Sequence, residues 1–171
     1  MFDDALIADA KQLLVALKER SLVLAAAESC TGGLISGLLT SVPGASASFD
    51  RGFVTYSNEA KIDMLGVRAE LIALHGAVSE EVVRAMALGA LVHSDADLAI
   101  AVTGIAGPDG GSSEKPVGLV HMAVARIDGP TQHLERRYGS LDRQKIRLES
   151  VRDAIGLALD ALEPPSSAPL E

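Results

Sequence analysis

The feature that most constrains this fold is a run of apolar residues followed by a tight turn of small residues and then by a helix. Leu22–Ala27 predicts a buried strand, and Thr31–Thr40 predicts the helix after it. The turn between them, Glu28–Gly33, places hydroxyl, thiol and glycine residues at a helix N-terminus. Free backbone N–H groups and the helix dipole favour an anion or a developing oxyanion there, and glycines allow a ligand to approach the backbone closely. The turn is therefore predicted to be part of a site.

Helical and strand-like segments alternate along the rest of the chain. Further helices are predicted over residues 4–20, 57–65, 67–75, 79–91 and 142–162, and further strands over residues 49–56, 97–103, 117–125 and 131–138. Ser57-Asn58 is predicted to cap the helix over residues 57–65, and Ser79 the helix over residues 79–91. Asp128-Gly129 between the last two strands indicates a hairpin. The pattern predicts an α/β fold, a three-layer α/β/α sandwich with a mixed, mainly parallel sheet that ends in a hairpin. We expect one domain over residues 1–163 and a flexible tail over residues 164–171.

Composition limits the functions that the chain can serve. Its 171 residues, of which 48% are hydrophobic and 22% charged, are typical of one soluble globular domain. A net charge of −8 and an aromatic content of 3% argue against a nucleic-acid partner, which needs basic surfaces and stacking rings. The single cysteine excludes an internal disulfide, and the sequence predicts neither a secretory signal nor a membrane span. We expect a cytoplasmic protein without a membrane partner.

Polar or glycine-rich loops follow three of the predicted strands. These loops are Glu28–Gly33, Tyr56–Lys61 and Thr103–Ser113. If the strands are parallel neighbours, the loops lie at the same edge of the sheet, where α/β proteins bind their ligands. The sequence therefore predicts one site built from all three loops.

The motifs in and around these loops resemble those of a known family. Glu28–Gly33, Gly52–Asn58, Thr103–Pro108 and Lys115–Gly118 look like the CinA C-terminal domain family, and the resemblance covers roughly Leu6 to Leu162. That family includes stand-alone nicotinamide-nucleotide amidohydrolases, also called NMN deamidases. The resemblance implies a cofactor-free hydrolase that converts nicotinamide mononucleotide (NMN) to nicotinic acid mononucleotide and ammonia in pyridine nucleotide recycling.

Amide hydrolysis needs a nucleophile, a base that activates it, and donors for the tetrahedral oxyanion. The resemblance implies a Ser–Lys pair, and the positions that fit are Ser48 and Lys61, with Tyr56 assisting. A partly desolvated lysine can have its pKa lowered enough to take the serine proton. The expected reaction is attack of Ser48 on the carboxamide carbon, loss of ammonia, and hydrolysis of the acyl-enzyme by water.

The choice of nucleophile stays open at this point. Ser29, Ser46 and Ser57 are further serine candidates. Cys30 lies at the predicted helix N-terminus, where a thiolate would be stabilised, but no histidine is near it in the sequence and a packing role is favoured.

Substrate binding is assigned to the small-residue turns and to two arginines. Glu28 either accepts hydrogen bonds from N–H groups of its turn, which we favour, or holds a substrate hydroxyl. Arg143 and Arg147 lie four residues apart on a predicted helix and could grip the phosphate of a mononucleotide, although either could form a surface ion pair instead. The other predicted binding residues are Ser29, Thr31, Gly32, Gly33, Thr103 and Gly104. The four histidines lack the spacing of metal ligands, so no metal site is expected.

Three functions other than NMN hydrolysis remain as alternatives. They are a non-catalytic nucleotide-binding or regulatory module, an amidase for another small amide, and a competence factor linked to nucleic acid, which the negative charge disfavours. The family resemblance also implies a homodimer, for which the apolar first helix could form the interface.

Overall fold

The computed structural model describes residues 2–163 and has a five-stranded sheet at its centre. The strands are β1 (Leu24–Glu28), β2 (Phe49–Val54), β3 (Leu98–Gly104), β4 (Leu119–Arg126) and β5 (Gln132–Arg137), in the spatial order β2-β1-β3-β4-β5. β1 pairs in parallel with β2 and β3, whereas β4 pairs antiparallel with β3 and β5. The predicted mixed sheet with a terminal hairpin is confirmed, and two of its four pairings are parallel. The tail predicted over residues 164–171 lies outside the described residues.

Helices cover both faces of the sheet, as the sandwich prediction requires. They are α1 (Asp4–Glu19), α2 (Leu34–Thr40), α3 (Asn58–Leu65), α4 (Ala69–His75), α5 (Glu80–Val92) and α6 (Arg143–Leu162), and a 3₁₀ turn at Ala45–Ala47 precedes β2. Helices α1, α2 and α6 pack on one face, and α3, α4 and α5 pack on the other. None of the helices within residues 2–163 is long and apolar enough to cross a membrane.

The two central parallel strands are buried on both faces. Successive side chains of a strand point to opposite faces, so the apolar runs in β1 and β3 supply both cores at once. The face under α5 is lined largely by alanines, namely Ala25, Ala27, Ala99, Ala101, Ala123 and Ala125. These small side chains explain how the chain builds a core with few aromatic residues.

Side-chain caps fix where several helices begin. Ser57 and Ser79, both predicted as caps, accept hydrogen bonds from the N–H groups of Ala60 and Val82 at 3.0 and 3.3 Å. The helix predicted from Thr31 begins later, at Leu34, because Gly32 and Gly33 take φ values of +57° and +93° that a right-handed helix excludes.

Candidate active site

A cavity of about 280 Å³ opens at the edge of the sheet where β1, β2 and β3 end. Ser29 follows β1, Tyr56 lies just after β2, and Thr103 is the second-last residue of β3. All three line the cavity. Arg143, the first residue of α6, lies at its mouth, and Ala77–Val78 between α4 and α5 forms a further wall. The three strand-end loops therefore converge on one cavity, as the sequence predicts.

Lys61 is buried at the inner end of this cavity, with 1% of its surface exposed. Its Nζ lies 3.1 Å from Oγ of Ser29 and donates a hydrogen bond to the carbonyl of Thr55 at 2.9 Å. Among residues 2–163 it forms no salt bridge, and burial lowers the pKa of Lys61 below its usual value. A neutral amine in this position can accept a proton from the hydroxyl that it contacts.

Ser48 lies far from Lys61, so the predicted contact between them is wrong. The carbonyl of Ser48 accepts a hydrogen bond from Leu24 at the beginning of β1, whereas Lys61 follows the end of β2. The length of β2 separates the two residues by about 20 Å, at roughly 3.3 Å for each strand residue. Oγ of Ser48 is buried and has no hydrogen-bond partner within residues 2–163. The serine that the structure places beside Lys61 is Ser29.

Tyr56 lies at the mouth of the cavity and contacts Arg143 instead of Lys61. Its side chain is largely exposed, and its hydroxyl accepts a hydrogen bond from Arg143 at 2.8 Å. Arg143 also donates to the carbonyl of Gly107 at 2.7 Å. The guanidinium of Arg143 therefore bridges the loop after β2 and the glycine-rich loop after β3.

Glu28 has the structural role favoured from the sequence. It is fully buried, and its carboxylate accepts hydrogen bonds from the N–H groups of Gly33, Ile35 and Ser36 at 2.9–3.0 Å and from the Ser36 hydroxyl at 2.8 Å. The chain thus supplies its own anion at the N-terminus of α2. The N–H groups of Gly33, Ile35 and Ser36 are therefore already bonded to Glu28 and do not face a substrate anion.

Arg147 braces the loop after β1 and does not point into the cavity. Its guanidinium donates to the carbonyls of Cys30 and Thr31 at 3.1 and 2.8 Å. This geometry does not match the predicted grip on a phosphate. Of the loop residues predicted to bind substrate, Thr31, Gly32 and Gly33 also lie outside the cavity lining, whereas Ser29 lies within it.

Cys30 lines the cavity but is a poor nucleophile. Burial raises the pKa of the Cys30 thiol to about 12, so the thiolate needed for attack is scarcely populated. Its backbone N–H donates no hydrogen bond to another residue within residues 2–163, in contrast to that of Gly32, which bonds to the carbonyl of Ser29.

Thr103 and Gly104 line the cavity as the sequence predicts. The Thr103 hydroxyl donates to the carbonyl of Ala77 at 2.9 Å. A Cβ at position 104 would lie 2.9 Å from the carbonyl oxygen of Leu119, so this close approach of β3 to its antiparallel neighbour β4 requires glycine.

The sequence reasoning missed other residues that line the cavity. Asn58 and Asp109 lie in two of the predicted loops and line the cavity, although the sequence gives neither of them a role of its own. Ala77–Val78 connects two helices, so a search for loops that follow strands cannot find it. Within residues 2–163, no three or more His, Cys, Asp or Glu residues are grouped to hold a metal ion.

Comparison with known proteins shows the family to which this chain belongs. Residues 7–162 match the model of the CinA C-terminal domain. Nicotinamide-nucleotide amidohydrolase PncC of Escherichia coli K12 is 51% identical over 164 residues, which are 95% of each chain. The PncC protein of Enterobacter agglomerans is 49% identical over 84% of this chain and 87% of its own. The crystal structure of competence/damage inducible protein CihA from Agrobacterium tumefaciens has a TM-score of 0.92 and 51% identity, covering 95% of this chain and 98% of that one. The chain therefore belongs to the CinA C-terminal domain family.

Proposed function

We propose that this protein is an amidohydrolase that converts NMN to nicotinic acid mononucleotide and ammonia, with Ser29 as the nucleophile and Lys61 as its base. The observation that carries the proposal is the 3.1 Å contact between the buried Lys61 Nζ and the Ser29 Oγ at the inner end of the cavity. Similarity to the nicotinamide-nucleotide amidohydrolases of Escherichia coli and Enterobacter agglomerans supports the choice of substrate.

The proposed reaction has two stages. Oγ of Ser29 attacks the carboxamide carbon while its proton passes to Nζ of Lys61, and that proton leaves with the amide nitrogen as ammonia. Water then attacks the ester carbon of the acyl-enzyme, Lys61 takes a proton from the water, and the proton returns to Ser29. The backbone N–H of Cys30, which directly follows the nucleophile, is the proposed donor to the oxyanion.

The charges around the cavity suit a pyridine mononucleotide. Arg143 lies at the mouth, where its guanidinium can pair with a phosphate. Tyr56 holds Arg143 in place and is proposed to act on substrate binding instead of on Lys61. Because NMN carries a cationic pyridinium ring, a neutral Lys61 beside its carboxamide avoids a repulsion between like charges.

The proposal also includes a homodimer located in the cytoplasm. Helix α1 exposes the apolar side chains of Ile7 and Val15 on its outer surface. They lie about two turns apart, so they can contribute to one interface.

Ammonia release from NMN by Ser29→Ala, Lys61→Met and Ser48→Ala tests the proposal. We expect the Ser29 and Lys61 variants to lose at least about 10³-fold in kcat, because each removes one member of a pair that acts as a unit. Ser48→Ala is expected to remain within about threefold of the wild type, since it removes a buried hydroxyl that has no partner.

Two other outcomes of these measurements would contradict the proposal. If Ser48→Ala were inactive and Ser29→Ala active, the nucleophile would be Ser48, as the family resemblance implies. A wild type that binds NMN by calorimetry without releasing ammonia would contradict the amidohydrolase and favour a binding module.

A further inference from the structure

The wall of the cavity formed by the turn between α4 and α5 is held by side chains. This turn, residues 75–78, has four successive carbonyl groups, and each accepts a hydrogen bond from a side chain. The donors are Ser79 to Gly76 at 2.9 Å, Thr103 to Ala77 at 2.9 Å, and Lys115 to both His75 at 2.5 Å and Val78 at 2.7 Å. These side-chain hydrogen bonds fix a turn that has no strand to pair with. The turn then forms a fixed wall of the cavity that also contains Ser29 and Lys61.

Lys115 makes two of these four hydrogen bonds and comes from a distant part of the chain. It follows the glycine-rich loop, where its backbone N–H donates to Oγ of Ser112 and its carbonyl accepts from the Ser112 N–H. A side chain at Gly76, whose φ is +76°, would lie 2.9 Å from Nζ of Lys115. The ammonium therefore lies directly against the turn, and a glycine is needed beneath it.

Two other roles for Lys115 fit the structure less well. A solvated surface lysine would not have its ammonium bound to two backbone carbonyls, and within residues 2–163 Lys115 forms no salt bridge. A direct role in gripping a phosphate would place Nζ in the cavity, yet Lys115 is absent from the cavity lining, whereas Ala77 and Val78 belong to it. Its contacts therefore act on the protein and not on the ligand.

We propose that Lys115 is a positioning residue that fixes the Ala77–Val78 wall and ties it to the glycine-rich loop. The wall and the loop line the same cavity, so one side chain keeps both at a fixed separation around the bound substrate. The effect on turnover rests on the proposed NMN hydrolysis, whereas the effect on the wall does not.

Lys115→Met tests this role against the matched variant Arg84→Met. Arg84 is also a long basic side chain that donates to a backbone carbonyl, that of Thr131, but it lies outside the cavity lining. In Lys115→Met we expect amide hydrogen exchange of residues 76–79 and 105–114 to accelerate by about tenfold or more, as expected of a segment that opens locally. Arg84→Met should leave exchange in both segments unchanged.

The kinetic effect should fall on substrate binding. Because the wall lines the cavity and not the contact between Ser29 and Lys61, Lys115→Met is expected to raise KM for NMN by about tenfold with a smaller change in kcat. Lys115→Arg keeps a charged donor of similar length and should restore most of the affinity. If Lys115→Met does not fold, the same measurements on Lys115→Gln replace it.

Unchanged exchange in residues 76–79, or an unchanged KM beside faster exchange, would overturn the positioning role. A wild type that fails to hydrolyse NMN would instead overturn the proposed function. In that case, the exchange experiment still decides whether Lys115 holds the wall.

Discussion

At the scale of single residues, Lys61 is a cation placed where a cation is costly. It is buried, it forms no salt bridge among the described residues, and burial lowers the pKa of Lys61. The neutral amine is the form that can act as a base. We therefore predict that kcat/KM for NMN rises with pH through the lowered pKa of Lys61 and reaches a plateau above it.

A pH–rate profile of the wild type and of Lys61→Arg measures this effect. An arginine stays protonated throughout the accessible range, so the residual activity of Lys61→Arg should lack the rise. A wild-type profile that shows no rise at any pH below 10.5, the usual pKa of lysine, would contradict the role of Lys61 as the base.

The sequence analysis selects Lys61, which lines the cavity, but not the serine beside it. Ser29 and Lys61 follow the ends of two parallel neighbours, β1 and β2, so the strand-end argument already brings them together. Ser48 precedes β2 and so belongs to the opposite edge. The family resemblance alone does not tell the two serines apart. Whether a residue lies at the cavity edge or at the opposite edge of the sheet depends on whether its strand runs parallel to its neighbour.

At the scale of elements, α3 and α5 approach each other closely at a glycine of α5. Gly89 of α5 lies against the end of α3, and a Cβ at this position would lie 2.0 Å from the carbonyl of Leu65. We predict that Gly89→Ala lowers the free energy of unfolding by about 2 kcal/mol, because the backbone of α3 must move to make room.

Gly156→Ala is the matched control for this prediction. Gly156 lies inside α6, and a Cβ there meets nothing within 4 Å. Alanine at this position should raise the free energy of unfolding by about 0.5–1 kcal/mol, through helix propensity alone. Urea unfolding of both variants measures the difference, and equal effects would contradict a close contact between α3 and α5.

The elements also show what a sequence pattern can and cannot predict. The helix and strand types, the caps at Ser57 and Ser79 and the final hairpin all follow from local spacing and are confirmed. The role of Ala77–Val78 depends on contacts made by the distant residues Thr103 and Lys115, whereas the later start of α2 follows from the left-handed backbone of Gly32 and Gly33. Spacing along the chain does not contain those contacts.

At the scale of the whole molecule, one polar cluster lies between the sheet and the α5 layer. His121 of β4 and His133 of β5 stack with ring centroids 5.3 Å apart, and their facing nitrogens are 3.0 Å apart. Burial lowers the pKa of both rings below the usual 6.5. The carboxylates of Glu80 and Glu135 favour the protonated rings, whereas Arg84 and Lys115 oppose protonation.

This cluster makes the stability of the fold depend on pH. Between the lowered pKa values and 6.5, the unfolded chain binds more protons at these histidines than the folded one. We therefore predict that the contribution of the pair to stability is fully present above pH 6.5 and is lost as the pH falls toward the pKa of the folded rings. Glu80, whose pKa the hydrogen bond from Arg84 holds below the usual 4.5, titrates at lower pH and does not obscure this window.

Thermal unfolding from about pH 7.5 to about pH 5 compares the wild type with the double variant His121→Phe and His133→Phe. Phenylalanine keeps a stacked aromatic pair but binds no proton, so the fall in Tm on acidification should be smaller in the double variant. Equal falls in Tm would mean that the histidine pair has the same proton affinity in the folded and unfolded chains. In that event, the acid sensitivity of the molecule would have to come from titratable groups outside this pair.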